Sequence, residues 1–533
     1  MRPASNLADL LADAAHESPD GVAMVEASSG RRLTWAELDA EVSRLAQGLA
    51  GLGLVAGYRV MVALPNRLEF VTTYFAVLRA GMVAVPVNPR SATGELVRMV
   101  ADCGARAVVA DPGTLSSVRA AVAGLEDALI GADEELRSRA PVPRIVVVAA
   151  PTVPGETRYD DLLADPARPH QAPADRESLA VLLYTSGTSG RPRAAMLTHR
   201  ALLSNIEQAA TVRPPLIGAD DIVLGVLPLF HVYGLNAVLG QVVRQQARLV
   251  LVDGFDPEGS LDVIEDEGAS VVPVAPPVFA YWRETADLRE RLRSVRVVLS
   301  GSAPLAPEMV DAFEERTGVT VHEGYGLTEA APVVTSTQCS ATRKRGSVGS
   351  ALPGVSIRLV DHLGHPPEGE DAGEIEVRGD NLFSGYWPDG ADGPDDDGWW
   401  ATGDVGFLDP DGDLFLVDRL KELVIVSGFN VYPVEVEEVI AELDAVAEAA
   451  VIGVADEHTG EAVAAYVTQV ESSNLDRDEL VAQVIEHCAV RLARFKQPSV
   501  VHVVERLPHT VTGKVAKGRL RETVRRRNLG LLE

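Results

Sequence analysis

Short apolar runs of strand length alternate with helical patterns through the first two thirds of the chain. Thr34 to Glu37 reads as a capping box, the Thr34 hydroxyl and Glu37 carboxylate covering amides at a helix start. Leu38, Val42, Leu45 and Leu49 then recur at helical spacing. The runs YRVMVAL from Tyr58, GMVAVPV from Gly81, RIVVVAA from Arg144, LAVLLYTSG from Leu179, ARLVLVDG from Ala247, ASVVPVAP from Ala269 and VRVVLSG from Val295 are rich in β-branched residues. Near-continuous apolar strands separated by helices predict an α/β fold with largely parallel sheets covered on both faces. GLGLVAG from Gly51 follows a helix and reads as its stop and turn. After Gly349 the chain turns to Gly, Asp and Pro with short strands (GVSIRLV, GEIEVRG, GDLFLV), which predicts a small β-rich lobe. From about Arg419 the pattern is that of a compact α+β unit.

One run resembles a membrane span. Ile222 to Val243 has His231 as its sole ionisable group, but Pro228, Asn236 and three glycines argue for a buried soluble segment. The 533 residues are 46% hydrophobic and 23% charged, a globular composition with room for two to four domains. The net charge of −29 sets the chain against nucleic acid and anionic membrane surfaces, so an anionic ligand must be held by local cations, backbone amides or a bridging metal. Cys103, Cys339 and Cys488 lie far apart without metal-ligand spacing, and Asp9 and Asp13 interrupt the apolar run a secretory leader needs. Together these point to the cytoplasm. Asp395, Asp396 and Asp397 sit in a Pro/Gly segment and read as a solvated turn.

The most informative stretch is YTSGTSGRPRAAMLTH, Tyr184 to His199, after an apolar strand. Thr185, Ser186, Thr188 and Ser189 supply hydroxyls, Gly187 and Gly190 allow close backbone approach, and Arg191 and Arg193 add charge. Such groups suit a phosphate, although composition alone favours a flexible Ser/Gly turn; the stretch is no P-loop, for no Gly-Lys-Ser/Thr follows at the required spacing. Further on, HEGYGLTEAAPV from His322 offers a flat ring at Tyr325, a hydroxyl at Thr328 and, at Glu329, a hard oxygen ligand suited to Mg²⁺.

The first stretch resembles the signature YTSGTTGxPKG of the adenylate-forming superfamily, which includes acyl-CoA synthetases, aryl-CoA ligases, luciferases and peptide-synthetase adenylation domains. Ser189, Arg193 and Ala194 are the departures. Five further segments follow in the family's order, so the resemblance spans nearly the whole chain. LPLFHVYGL from Leu227 is similar to the acyl-pocket motif, which implies that His231 lies where acyl carboxylate and nucleotide meet. SGSAPL from Ser300 implies Gly301, Ser302 and Ala303 on the acyl-pocket wall and against adenine. Glu323, Gly324, Tyr325 and Gly326 fall in the nucleotide-binding turn, with Thr328 at the α-phosphate and Glu329 sharing Mg²⁺ with Thr185. Where the acetate-specific branch carries Trp, this chain has Gly326, which implies room for a longer or aromatic acid. In WWATGDVGFLDPDG from Trp399 and DRLKELVIVSGFNVYPVEVE from Asp418, Asp404 and Arg419 resemble the ribose ligands, Lys421 the hinge residue, and Gly428 and Phe429 the loop lining the pantetheine tunnel. LPHTVTGKVAKGRLR from Leu507 places Lys514 as the lysine bridging substrate carboxylate and α-phosphate.

The resemblance implies a large N-terminal domain, 1–418, of two doubly covered α/β sheets plus the β-rich lobe, a hinge at 419–421, and a small mobile α+β C-terminal domain, 422–533. It implies an ATP-dependent, Mg²⁺-requiring synthetase that activates a medium- or long-chain fatty acid as an acyl-adenylate and passes it to coenzyme A. An aryl-CoA ligase of the 4-coumarate type, or an acyl-AMP ligase that loads an acyl-carrier protein, are the alternatives. A luciferase-like oxygenase and a nucleotide binder without catalysis are more distant ones; Thr185, Glu329, Asp404 and Lys514 together argue against the latter. Nothing in the sequence fixes the oligomeric state, and an oligomer is compatible with it.

Overall fold

Alternate residues of each apolar run face opposite sides of a sheet, and the computed structural model shows both sides filled. It describes residues 4–130, 134–164, 175–185, 193–303, 305–361, 364–367, 372–419, 422, 424–426, 429–456, 460–470, 472–492, 494–510 and 514–528, with Asp418, Arg419 and Phe429 among those placed by backbone alone. Of the expected site residues, Ser186, Gly187, Thr188, Ser189, Gly190, Lys421 and Gly428 lie outside the described residues, as does Arg191.

Two compact units divide the chain. The first comprises Met1–Gly187, Pro192–Ser356 and Arg378–Trp400; the second comprises Thr188–Arg191, Ile357–Val377 and Ala401–Glu533. Among the described residues the first unit holds two seven-stranded sheets. One runs in the order Thr320–Glu323, Val297–Ser300, Val271–Val274, Ile222–Gly225, Arg248–Leu251, Val22–Glu26 and Arg32–Thr34. The other runs Thr157–Arg158, Arg144–Val147, Ala107–Ala110, Arg59–Ala63, Val83–Pro86, Leu179–Thr185 and Arg193–Thr198. Within each sheet all neighbours are parallel except the last strand, which is antiparallel.

The period of two sorts side chains cleanly between cores. Val60 and Val62 enter the core between the two sheets, where Leu38, Val42, Leu45 and Leu49 of the helix Trp35–Gly51 also pack. Met61 and Ala63, one residue out of phase, enter the outer core under the helix Thr93–Cys103. Leu224, Val272 and Val298 do the same beneath Pro257–Glu267 and Pro307–Thr317. Both sheets are therefore doubly covered, as the β-branched runs predict. The capping box is present: Glu37 N donates to Thr34 Oγ1 at 3.2 Å and Thr34 N to a Glu37 carboxylate oxygen at 2.8 Å.

Two stretches gain definition from the structure. AAMLTH, left without an element by its short Ala-rich pattern, forms the antiparallel strand Arg193–Thr198. The span-like run breaks into the strand Ile222–Gly225, a turn, and a π-helical stretch Tyr233–Gly240. Among the described residues no helix is long and apolar enough to cross a membrane.

The second unit carries the β-rich lobe as a four-stranded sheet, Ser356–Val360, Gly373–Arg378, Trp399–Leu408 and Leu414–Arg419, most of whose residues fall in that unit. It also holds a five-stranded sheet with the helices Pro433–Ala441 and Arg477–Arg491 packed around a core of Val, Leu and Ile.

Candidate active site

In the first unit, Thr185 ends a strand and Arg193 begins its antiparallel partner, and the two residues are opposite in register. The Thr185 hydroxyl lies 3.4 Å from the Arg193 carbonyl. The described parts of the hydroxyl-rich stretch up to Thr198 thus lie on the two paired strands at the edge of the sheet.

The segment 323–333 is held far more firmly than its glycines suggest. Three buried asparagines tie it down: Asn236 Nδ2 donates to Ala331 O at 2.6 Å, Asn381 Nδ2 to Ala330 O at 2.8 Å, and Asn205 exchanges bonds with the Val333 backbone at 2.8 and 3.1 Å. A buried amide that spends its donor on a backbone carbonyl fixes that carbonyl, and Asn205 and Asn381 are engaged at both amide atoms, whereas Asn236 Oδ1 is buried with no hydrogen-bond partner among the described residues. Thr328–Ala330 form one 3₁₀ turn, and Glu329, only 8% exposed, receives a hydrogen bond on Oε1 from the Tyr386 hydroxyl at 2.6 Å. Burial and the Glu329 charge push the Tyr386 phenol well above its ordinary pKa, so it donates at any physiological pH. The Arg193 guanidinium lies over the Tyr386 ring, 3.8 Å from its centroid, and pairs with Asp392 at 2.7 Å. Thr185, Arg193, Tyr386 and Glu329 therefore form one chain of contacts.

A second group surrounds the ends of the strands Val297–Ser300 and Thr320–Glu323. Ser302 adopts φ +74°, a left-handed conformation costly for serine and a recurrent mark of functional turns. Gly301 abuts Tyr233, whose Cε1 would lie 3.1 Å from any Cβ there, and the Tyr233 hydroxyl donates to Leu299 O at 3.2 Å. His231 is half-buried, and its carbonyl accepts from Leu235 N at 2.9 Å, anchoring the π-helical stretch. Burial raises the Glu323 carboxyl to about 7 and lowers neighbouring His322 to about 4. Tyr325 is only 7% exposed, which leaves little of its ring free as a stacking face.

Gly326 has a structural reason to be glycine in addition to the one its sequence suggests. A Cβ there would stand 2.4 Å from Pro332 O, so glycine is required to close the turn with Val333. The same holds for Gly324 against Thr335 O at 2.8 Å. The absent side chain serves backbone packing at both positions.

In the second unit, Asp404 and Arg419 are opposite each other in the register of the antiparallel pair. Asp404 N donates to Thr402 Oγ1 at 3.1 Å. Lys514 is half-buried and clasped to Thr510: Lys514 N donates to Thr510 Oγ1 at 3.1 Å and Thr510 N to Lys514 O at 2.7 Å. Phe429 starts a short strand, and its side chain lies outside the described residues. In the first unit, the Asp395 carboxylate accepts from Asp397 N and Trp399 N, which closes a turn.

Thr185 and Glu329 offer the hard oxygen donors Mg²⁺ prefers. Among the described residues no group of three or more His, Cys, Asp or Glu side chains forms a metal cage. One carboxylate and one hydroxyl fit a cation that arrives on a polyphosphate rather than one caged by protein. A cavity of about 220 Å³ bounded by Arg59, Ser178, His199 and Trp387 contains none of these residues, and its polar groups are engaged: Arg59 donates to Cys103 O, Trp387 to Asp102 O, and His199 accepts from Leu7 N.

The AMP-binding enzyme family model matches residues 11–387, and the model of the AMP-binding enzyme C-terminal domain matches 435–514. The chain belongs to the AMP-binding enzyme family. Within this family, 4-coumarate–CoA ligase-like 9 of Oryza sativa subsp. japonica is 33% identical over 96% of this chain and 92% of its own. The long-chain-fatty-acid–CoA ligase of Bacillus subtilis is 32% identical over 98% and 95%. ATP-bound MatB from Rhodopseudomonas palustris has the same fold, with TM-score 0.85 and 32% identity over 97% of this chain and 99% of that one. This AMP-binding enzyme is an adenylate-forming acid–thiol ligase. Sequence reasoning missed Tyr386 and the three asparagines. NLFSGYWPDG did carry a signal, a dense aromatic group in an otherwise polar stretch.

Proposed function

We propose that the protein joins a medium- or long-chain fatty acid to coenzyme A in two steps. The acid carboxylate attacks the α-phosphorus of ATP, giving acyl-adenylate and pyrophosphate. The coenzyme A thiolate then attacks the acyl carbon and AMP leaves. The observation that carries the choice of acid is the face of the π-helical stretch. Between Val232 and Gly240 only Tyr233 and Ala237, one turn apart, escape full burial, and the Tyr233 hydroxyl is already spent on Leu299 O. With Gly301 opposite Tyr233, this wall is narrow-shouldered and apolar and offers no spare donor. Such a wall suits an aliphatic chain.

A second reading, an aryl-propenoic acid, is favoured by the flat Tyr233 ring braced against Gly301 and by the 33% identity to a 4-coumarate–CoA ligase-like protein.

In this reading Lys514 and Arg193 offset the repulsion between carboxylate and polyphosphate, and Thr328 donates to the α-phosphate. His231 stands where acid and nucleotide meet, and Gly301, Ser302, Ala303, Glu323, Gly324, Tyr325 and Gly326 surround adenine and acyl group. Asp404 and Arg419 hold the ribose. Glu329 and Thr185 would hold Mg²⁺, which supplies charge neutralisation on the phosphates when bound. The body 1–418 and the C-terminal domain 422–533, turning at Lys421, would exchange Lys514 for Gly428 and Phe429 between the two steps. Unpaired, scattered Cys103, Cys339 and Cys488 support a reducing, cytoplasmic setting.

Pyrophosphate release across a panel of fatty and aryl acids, with and without coenzyme A and with products identified by mass, tests the reading. Fatty acyl-CoA as the product is expected. Turnover of aryl acids alone moves the assignment to the second reading, and an adenylate that coenzyme A never consumes moves the acceptor to an acyl-carrier protein.

A further inference from the structure

Tyr386 joins two motifs that lie more than a hundred residues apart in sequence. Its hydroxyl donates to Glu329 Oε1 at 2.6 Å, and its ring lies beneath the Arg193 guanidinium at 3.8 Å. The tyrosine is itself rigidly held. Its backbone bridges Ala195 in the strand that begins at Arg193, its N–H donates to Ala391 O at 3.0 Å, and the Phe383 ring meets it edge-on at 5.0 Å. Phe383 N in turn donates to the Glu329 carbonyl at 2.8 Å, so the same short segment grips Glu329 at both backbone and side chain.

Each contact answers a physical need. A buried carboxylate is free to rotate about its terminal torsion unless a donor fixes one oxygen, and a phenol on a braced ring fixes it without adding charge. A guanidinium over an aromatic face keeps all its donors available at its edges, whereas a second carboxylate would spend them.

We propose that Tyr386 is the positioning residue of the nucleotide site: its hydroxyl aims the Glu329 carboxylate and its ring carries the Arg193 guanidinium. One side chain thereby sets the acidic and the basic arm of the site relative to each other. This rests on the reading of Glu329 and Arg193 as groups that meet Mg²⁺ and phosphate.

Two substitutions separate the two jobs, read by calorimetric ATP binding without acid, in Mg²⁺ or in EDTA, alongside thermal melting. Tyr386→Phe keeps the ring and loses the hydroxyl; it should weaken binding in Mg²⁺ by about tenfold and leave binding in EDTA unchanged. Tyr386→Leu loses both and should also weaken binding in EDTA by about threefold. The proposal is overturned if the Phe variant binds as the wild type does in Mg²⁺, or if Phe and Leu lower binding equally in both media. Should the Phe variant not fold, Asp392→Asn takes its place. The Asp392 side chain is 70% exposed, and asparagine tolerates its φ of +54°. Releasing Arg193 from Asp392 to the ring alone should tighten EDTA binding about threefold, and unchanged binding overturns the Arg193 arm. Wild-type protein that shows this binding pattern but releases no pyrophosphate with any acid refutes the functional reading and leaves the positioning role standing.

Discussion

The segment around Glu329 and the segment around Lys514 are built by opposite means. Glu329 sits on a turn gripped by Asn205, Asn236, Asn381, Phe383 and Tyr386, all reaching in from distant parts of the sequence. Lys514 sits on a turn closed by Thr510, four residues away. Long-range bracing costs chain entropy and returns a fixed geometry, which a group must have if it is to meet a metal and phosphates without rearrangement. A contact between residues four apart holds wherever its surroundings are, which would suit the proposed use of Lys514 in one step and not in the next. The comparison predicts where each kind of damage should show.

The largest effect is expected at Lys514. Lys514→Ala should slow adenylate formation about a thousandfold, the size of a lost charge partner in a transition state, while spare acyl transfer from a supplied acyl-adenylate continues. Equal loss in both steps, measured separately by pyrophosphate exchange and by thioester formation, would show that the lysine serves no single step.

Next in size is acid sensitivity on the braced side. His199 follows the strand Arg193–Thr198, is 2% exposed, and accepts a hydrogen bond from Leu7 N on Nδ1 at 3.0 Å. Burial lowers its pKa from 6.5 to about 4. The unfolded chain therefore takes up a proton first, and stability present above pH 6.5 is lost as pH falls toward 4, by roughly 3 kcal/mol. Denaturant titrations at pH 7 and pH 4.5 check this, and the difference should shrink in His199→Gln. Gly326→Ala should cost about 2 kcal/mol and lower the melting temperature, since its Cβ meets Pro332 O. A variant of full stability whose acid preference shifts would support the pocket-depth role.

These contrasts also mark what the sequence could reveal. The two sheets were legible because apolar runs of strand length with helices between them admit few arrangements, and Thr34 with Glu37 marks a helix start by chemistry alone. Asp404 and Arg419 could be named from motifs, yet only the register sets them opposite each other on paired strands. Arg193–Thr198 escaped notice because an Ala-rich edge strand has no strong period. Asn236 looked merely out of place in an apolar run; its reason is a carbonyl at Ala331, 95 residues on, and no local pattern encodes so distant a partner. Gly326 was read as leaving room in a pocket; the structure adds a backbone cause, Pro332 O, that a missing side chain alone does not reveal.

The smallest effect should come from the clasp itself. Thr510→Ala removes the acceptor for Lys514 N and leaves the backbone bond from Thr510 N to Lys514 O in place. One neutral hydrogen bond on a half-buried turn is worth about 1 kcal/mol, so adenylate formation should slow about fivefold with the melting temperature almost unmoved. Thr510→Ser, which keeps the hydroxyl, should recover the rate. An effect of Thr510 that runs through Lys514 should vanish in a Lys514→Ala background, and additive losses there would show that Thr510 positions something other than the lysine.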